Sequence, residues 1–120
     1  MSGFVAHVRE RPDGTPVAVV ELRGQLDGAA GADMAPIYTE ATRSGDVTAI
    51  VLDFHGVDYI NSTGIALVVG LLGEARADDV EVRVYGLSEH YRHIFDITRL
   101  TDFVTFFDDE PTAVAAPRTA

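Results

Sequence analysis

The sequence predicts a single α/β domain built on a mixed sheet of four to five strands. Three observations predict it. Residues 4–9, 17–23, 48–54 and 80–85 read as β-runs, apolar residues recur at helical spacing between and after the last three, and strong turn residues separate the first two. The chain has 120 residues, a length that suits one core, and a domain of this size buries roughly two thirds of its unfolded surface. It contains no Cys, so that core has to hold without disulfides.

Residues 4–9 alternate, with Phe4, Ala6 and Val8 on one side and Val5, His7 and Arg9 on the other, as in a half-exposed strand. Residues 11–16 contain Pro12, Gly14 and Pro16, turn chemistry that leads into the second run and makes an opening hairpin. After Gly24-Gln25-Leu26, Asp27 is a natural N-cap for a helix over 28–43, in which Met34, Ile37, Tyr38 and Ala41 share a face. Pro36 inside that span predicts a kink, because proline lacks the N–H and crowds the preceding turn.

Residues 48–54 form a nearly continuous apolar run, the pattern of a central strand covered on both faces. A loop over 55–61 then leads to a helix over 63–77, with Ile65, Val68, Val69, Leu72 and Ala75 on one face and Leu67 and Leu71 widening it. Asp78-Asp79 ends it and residues 80–85 form the next strand. Ser88 caps a third helix in which Tyr91, Ile94, Phe95 and Thr98 share a face, and residues 104–107 add a short edge strand. Beyond that the chain thins into Pro, Ala and Thr, so the domain is expected over 1–110 and a flexible tail over 111–120, with a short helix at 112–116 that frays. The order β-β-α-β-α-β-α-β contains right-handed strand-helix-strand units, so the sheet is largely parallel apart from its hairpin.

Charge narrows the function. Nineteen acidic residues stand against nine basic ones, and a net charge of −10 repels phosphate backbones and anionic lipid alike, so neither nucleic acid nor membrane is an expected partner. Every basic residue is Arg; without Lys there is no P-loop lysine, Schiff-base lysine or polybasic anchor. Gly24, Gly28 and Gly31 lack the spacing of a dinucleotide loop, and no cofactor is expected. The start lacks a basic n-region, and the apolar stretch 64–73 falls short of the roughly 20 residues that span a bilayer, so the expected location is cytoplasmic.

The most informative stretch is 57–65, where a strand gives way to an apolar helix. Ser62 reads as that helix's N-cap, its hydroxyl accepting from the N–H of Gly64 or Ile65 for about 1 kcal/mol. The same first-turn N–H groups form a positive pole that tolerates a phosphate on Ser62. A phosphate would add about −1.5 to −2 charge at an exposed corner, enough to disrupt an interface fitted to the bare hydroxyl. Such a site switches binding and leaves the shape alone.

Gly24-Gln25-Leu26-Asp27, the strand ending in Asp53-Phe54, and Ile60-Asn61-Ser62-Thr63-Gly64-Ile65 together resemble the STAS domain of bacterial anti-sigma factor antagonists. That family typically reads Gly-Glu-Leu-Asp after its second strand and Asp-Ser-(Ser/Thr)-Gly before its second helix. The resemblance continues through Val84-Tyr85-Gly86-Leu87-Ser88 and Ile94-Phe95-Asp96-Ile97-Thr98-Arg99-Leu100, and covers 17–107. It implies a binding module and no enzyme. In the family, an anti-sigma factor with serine kinase activity phosphorylates the first hydroxyl residue of the motif, matched here by Ser62. The unmodified form captures that kinase and frees a sigma factor, and a protein phosphatase resets the system.

By the same resemblance Asp27 matches the aspartate near the phosphorylation site, and Asn61, Ser62, Thr63 and Gly64 match the partner-contacting helix start. Gln25 and Asn61 stand where the family usually has Glu and Asp. The resemblance leaves a homodimer open. It also fits a second reading, a STAS subunit without the switch in a stress-signalling scaffold or a lipid-transport ATPase.

Other chemistries have less support. A serine hydrolase built from Ser62, His55 and Asp53 or Asp58 lacks the Gly-x-Ser-x-Gly elbow, since Ile60 lies two before the serine. His90 and His93, near Glu89 and Asp96, have one-turn spacing, but no third close ligand completes a set and no metal is expected. Asn61-Ser62-Thr63 matches a glycosylation acceptor, without weight in the absence of an export signal. The acidic run 108–110 reads as solvated.

Overall fold

A computed structural model describes residues 3–11 and 15–118. The turn read at 12–14 lies outside the described residues. Strand β1 (Phe4–Val8) pairs antiparallel with β2 (Val17–Leu26), forming the expected hairpin. Strands β3 (Ala49–Ile60), β4 (Glu81–Tyr85) and β5 (Thr105–Phe107) add in parallel, so the five-stranded mixed sheet runs β1-β2-β3-β4-β5.

Side chains alternate along each strand, which divides the sheet into two faces. On one face Ala18, Val20 and Leu22, with Ile50, Leu52 and Phe54 and with Val82 and Val84, pack against the four helices α1 (Gly31–Met34), α2 (Ile37–Ala41), α3 (Ser62–Ala77) and α4 (Glu89–Ile97). Phe95 of α4 meets Phe54 edge-on, with ring centroids 6.0 Å apart. On the opposite face Val17, Val19, Ala49 and Val51 lie under α5 (Glu110–Ala115), whose Ala113 is fully buried.

The short helix expected at 112–116 is present as α5, beginning two residues earlier. Arg83, buried on β4, donates from Nη1 to the Ala113 carbonyl at 2.7 Å and from Nε to Glu81 at 2.8 Å. The acidic run before it is structural as well as solvated. Asp109 caps the helix through the Thr112 N–H at 2.9 Å, and Glu110 accepts from Arg9 and, at 2.9 Å, from the Tyr85 hydroxyl. The buried cation of Arg83 thus lies beneath this segment and bonds its backbone.

The kink expected at Pro36 is present as a break, and three further expectations change: the loop at 55–61, the buried face of α3 and the placement of Thr98. The helix over 28–43 is split into a 3-10 turn at Gly28–Ala30, α1 and α2, with the break at Ala35 and Pro36, where the missing proline N–H stops the ladder. The loop over 55–61 is mostly strand: β2 runs on past Arg23, so β3 pairs with it through Gly24↔Val57, Gln25↔Tyr59 and Leu26↔Ile60, across two register shifts. Gly24 permits this, at φ +94° and with the Gly3 carbonyl where a Cβ would stand. Finally, α3 buries Gly64, Val68, Leu71, Leu72 and Ala75 and leaves Val69 46% exposed. On α4, Thr98 is exposed and turns back to the Ile94 carbonyl.

Candidate functional site at the start of the third helix

The paired ends of β2 and β3 carry the site. Because Leu26 and Ile60 are register partners, Asp27 and Asn61 leave the sheet side by side, each to begin a helical segment. Such crevices at the carboxyl ends of parallel strands are where α/β sheets place their recognition residues. Asp27 caps the 3-10 turn, its carboxylate accepting from the Ala29 N–H at 3.0 Å. The Asn61 N–H donates to the Leu26 carbonyl at 3.3 Å, which extends the pairing by one residue.

Asn61, and not Ser62, caps α3. Its backbone is extended, at φ −104° and ψ −175°, and its side-chain oxygen accepts from the Gly64 N–H at 2.9 Å. The expected capping role of Ser62 is thereby corrected: Ser62 is the first helical residue. Its side chain is exposed and, among the described residues, makes no hydrogen bond. The N–H groups of Ser62 and Thr63 sit in the first turn, where a helix offers no internal acceptor.

Gly64 brings the helix onto the strand end. A Cβ there would stand 1.9 Å from the Leu26 carbonyl oxygen and 3.2 Å from Cγ2 of Ile60, so only glycine fits. Thr63 is exposed and reaches back toward Gly28, where a Cβ would stand 3.6 Å from its Cγ2. The five residues singled out in the sequence, Asp27, Asn61, Ser62, Thr63 and Gly64, thus converge on one corner. One residue was missed: the Tyr91 hydroxyl of α4 accepts from the Ile60 N–H at 3.0 Å and ties the corner to that helix. No local signal pointed to it, since Tyr91 reads from sequence as an ordinary member of an apolar face.

Within the segments 24–42 and 56–73 the charged residues are Asp27, Asp33, Glu40 and Asp58, with no Arg, Lys or His. A phosphate on Ser62 would find first-turn N–H groups as local donors and no cation in either segment.

The hydrolase constellation does not assemble. Asp53 accepts from the backbone N–H of His55 at 2.8 Å and lies 3.5 Å from Arg9, while five residues of strand, roughly 16 Å, separate His55 from Ile60. His90 and His93 are exposed, His90 lying against the ring of Tyr91. Among the described residues no three His, Asp or Glu side chains are placed to hold a metal ion.

Away from the corner, a polar row crosses the face of the sheet that carries α5. Glu21, Asp53 and Tyr85 are register partners on β2, β3 and β4, and Arg9 bonds to Glu21 at 2.6 Å and to Glu110. The hydrogen bond from Arg9 holds the Glu21 carboxyl below the usual carboxylate range. Burial, with hydrogen bonds to Asp53 and Glu110, pushes the Tyr85 phenol up.

Comparison with known proteins agrees with this architecture. The STAS domain family model matches residues 7–113. The anti-sigma-B factor antagonist of Staphylococcus aureus (strain NCTC 8325 / PS 47) is 29% identical over 85 residues, which cover 71% of this chain and 78% of the relative. A crystal structure of an anti-sigma factor antagonist from Mycobacterium paratuberculosis superposes with a TM-score of 0.74 at 19% identity, covering 92% of this chain and 91% of the other. The Bacillus cell fate determinant SpoIIAA in its phosphorylated form superposes with a TM-score of 0.65 at 23% identity, covering 88% and 96%.

Proposed function

Because the chain belongs to the STAS domain family, we propose that it acts as an anti-sigma factor antagonist whose Ser62 corner docks on an anti-sigma factor with serine kinase activity. The unmodified protein captures that kinase and frees a sigma factor. Transfer of the γ-phosphoryl group of ATP to the Ser62 hydroxyl ends the capture, and a protein phosphatase restores it. Catalysis belongs to the partner and phosphatase, and this chain supplies the acceptor oxygen and its surroundings.

The observation that carries the proposal is the division of labour between Asn61 and Ser62. Asn61 takes the capping bond, so the exposed hydroxyl of Ser62 has no structural duty within the described residues and is available to another macromolecule. Asn61 also answers the departure from the family's usual Asp: an amide oxygen caps as a carboxylate does, and it removes one negative charge beside an incoming phosphate. Asp27 holds the neighbouring 3-10 turn, and Gly64 sets the helix against the strand end. A relative known in a phosphorylated form with the same fold is consistent with this reading.

Intact-mass analysis after incubation with a purified kinase-type anti-sigma factor and ATP tests it. One phosphate on the native chain and none on Ser62→Ala is the expected result. Failure of the native chain to form a complex or to accept phosphate overturns the switch. Recovery of transporter or scaffold subunits in place of a kinase would favour the STAS subunit without the switch.

A further inference from the structure

Helix α3 carries no charged residue from Ser62 to Gly73, although 23% of the chain is charged. Its exposed positions Ser62, Thr63, Ala66, Val69, Gly70 and Gly73 form an uncharged face roughly three turns long. Beside that face lies a groove of about 180 Å³ between α1 and α3, walled by Gly31, Ala35, Ala66, Leu67 and Gly70 and closed at one end by Glu74.

Packing inside the chain accounts for only part of this shape. A Cβ on Gly31 would reach contact distance of Leu67, at 4.0 Å, whereas one on Gly70 or Gly73 would meet nothing within 4 Å. A glycine inside a helix weakens it relative to alanine, so these two lower the stability of α3 without serving its packing. Glu74 is exposed and forms no ion pair among the described residues, the groove lining holds no Arg, Lys or His, and the one cation of α3, Arg76, lies over the ring of Phe103.

We propose that this groove seats an apolar side chain from a cationic amphipathic helix of the partner, with an Arg or Lys of that helix on Glu74. The inference deepens the docking function above and rests on it: the groove is the anchoring half of the surface, and Ser62 is the switching half. An uncharged floor accepts the apolar stripe, the acidic surroundings select cations over anions, and Gly70 lets a helix backbone approach closely. Twelve residues of helix separate Ser62 from Glu74, roughly 18 Å, against a screening length of about 8 Å at physiological salt. A phosphate on Ser62 therefore spoils the fit at its own end without strengthening the cation contact at the other.

The test uses two synthetic helical peptides, one with a leucine stripe flanked by Arg and a twin with Glu in place of each Arg, titrated into the ¹⁵N-labelled full chain. The Arg peptide is expected to shift the amides of Gly31, Ala66 and Gly70 and to bind at least about tenfold more tightly than its twin. Glu74→Arg should remove that preference. Gly70→Leu, which fills the groove, should cut binding by at least about tenfold with a melting temperature no lower than that of the native chain. Equal binding of the two peptides, no binding of either, shifts centred on Val69 and Phe103, or undiminished binding to Gly70→Leu each overturn the proposal. The readout is independent of Ser62 phosphorylation, so a failed kinase assay and a failed groove are distinguishable.

Discussion

The carbonyl oxygen of Leu26 occupies the space that a side chain on Gly64 would need, 1.9 Å from where its Cβ would stand. This contact joins the end of β2 to the first turn of α3, and so sets how far Ser62 stands out from the sheet. Gly64→Ala forces the helix start away from the strand end. We expect a loss of about 2 kcal/mol or more, read by urea unfolding, together with weakened docking. A stable Gly64→Ala protein would show that the two elements are not in contact.

Capping separates Asn61 from Ser62. Asn61→Ala should cost about 1 kcal/mol, whereas Asn61→Asp should retain the cap. Ser62→Ala should change stability by less than about 0.5 kcal/mol and yet abolish phosphate incorporation. Denaturation midpoints of the three variants decide it; a large loss in Ser62→Ala would return the capping role to the serine.

Arg83 pins the last helix. Replacing it by Ala removes the donor on the buried Ala113 carbonyl and leaves a cavity beneath α5, at a cost of about 3 kcal/mol. Hydrogen exchange should accelerate at 113–116 ahead of α3 and β3. Uniform acceleration across the domain would instead make α5 part of the same cooperative unit.

Acid should loosen the sheet face that carries α5. The carboxyl of Glu21 is held below its ordinary range by the hydrogen bond from Arg9, so its folded pKa lies below its unfolded one. Its contribution is present above the unfolded value and is lost as pH falls through the folded value. Stability should therefore drop as pH is lowered beneath the usual carboxylate range, and Arg9→Met should flatten that dependence. An Arg9→Met protein with an unchanged pH profile would remove Arg9 as the cause.

Gly73→Ala tests the exposed glycines in the opposite direction. With nothing near the new methyl group, the substitution should stabilise α3 by about 1 kcal/mol, seen as a raised melting temperature. A lowered melting temperature would mean that the helix interior needs glycine there.

Much of the fold was legible because its signals are local. Alternation in residues 4–9, the apolar run at 48–54 and the capping chemistry of Asp27 and Ser88 each act within a few residues, and each appears where expected. The face of α3 was harder to read, because Ile65, Leu67, Val68, Val69, Leu71 and Leu72 surround the helix with apolar side chains, and periodicity then has no contrast to work on. The length of β3 was hidden for a different reason. Residues 55–59, with His55, Gly56 and Asp58 among them, read as a loop until β2 supplies register partners for Gly56, Val57 and Tyr59.

The chain by itself determined the α/β order, the opening hairpin and the break at Pro36, since these depend on neighbours in sequence. Only the tertiary structure decided that Asn61 caps in place of Ser62, that Tyr91 ties down Ile60, and that residues 110–115 pack over Arg83. The physical reason lies in the range of the forces. Adjacent Asn and Ser are nearly equal as caps, so a carbonyl arriving from β2, thirty-five residues earlier in the chain at Leu26, chooses between them by holding Asn61 in the extended backbone that a cap requires.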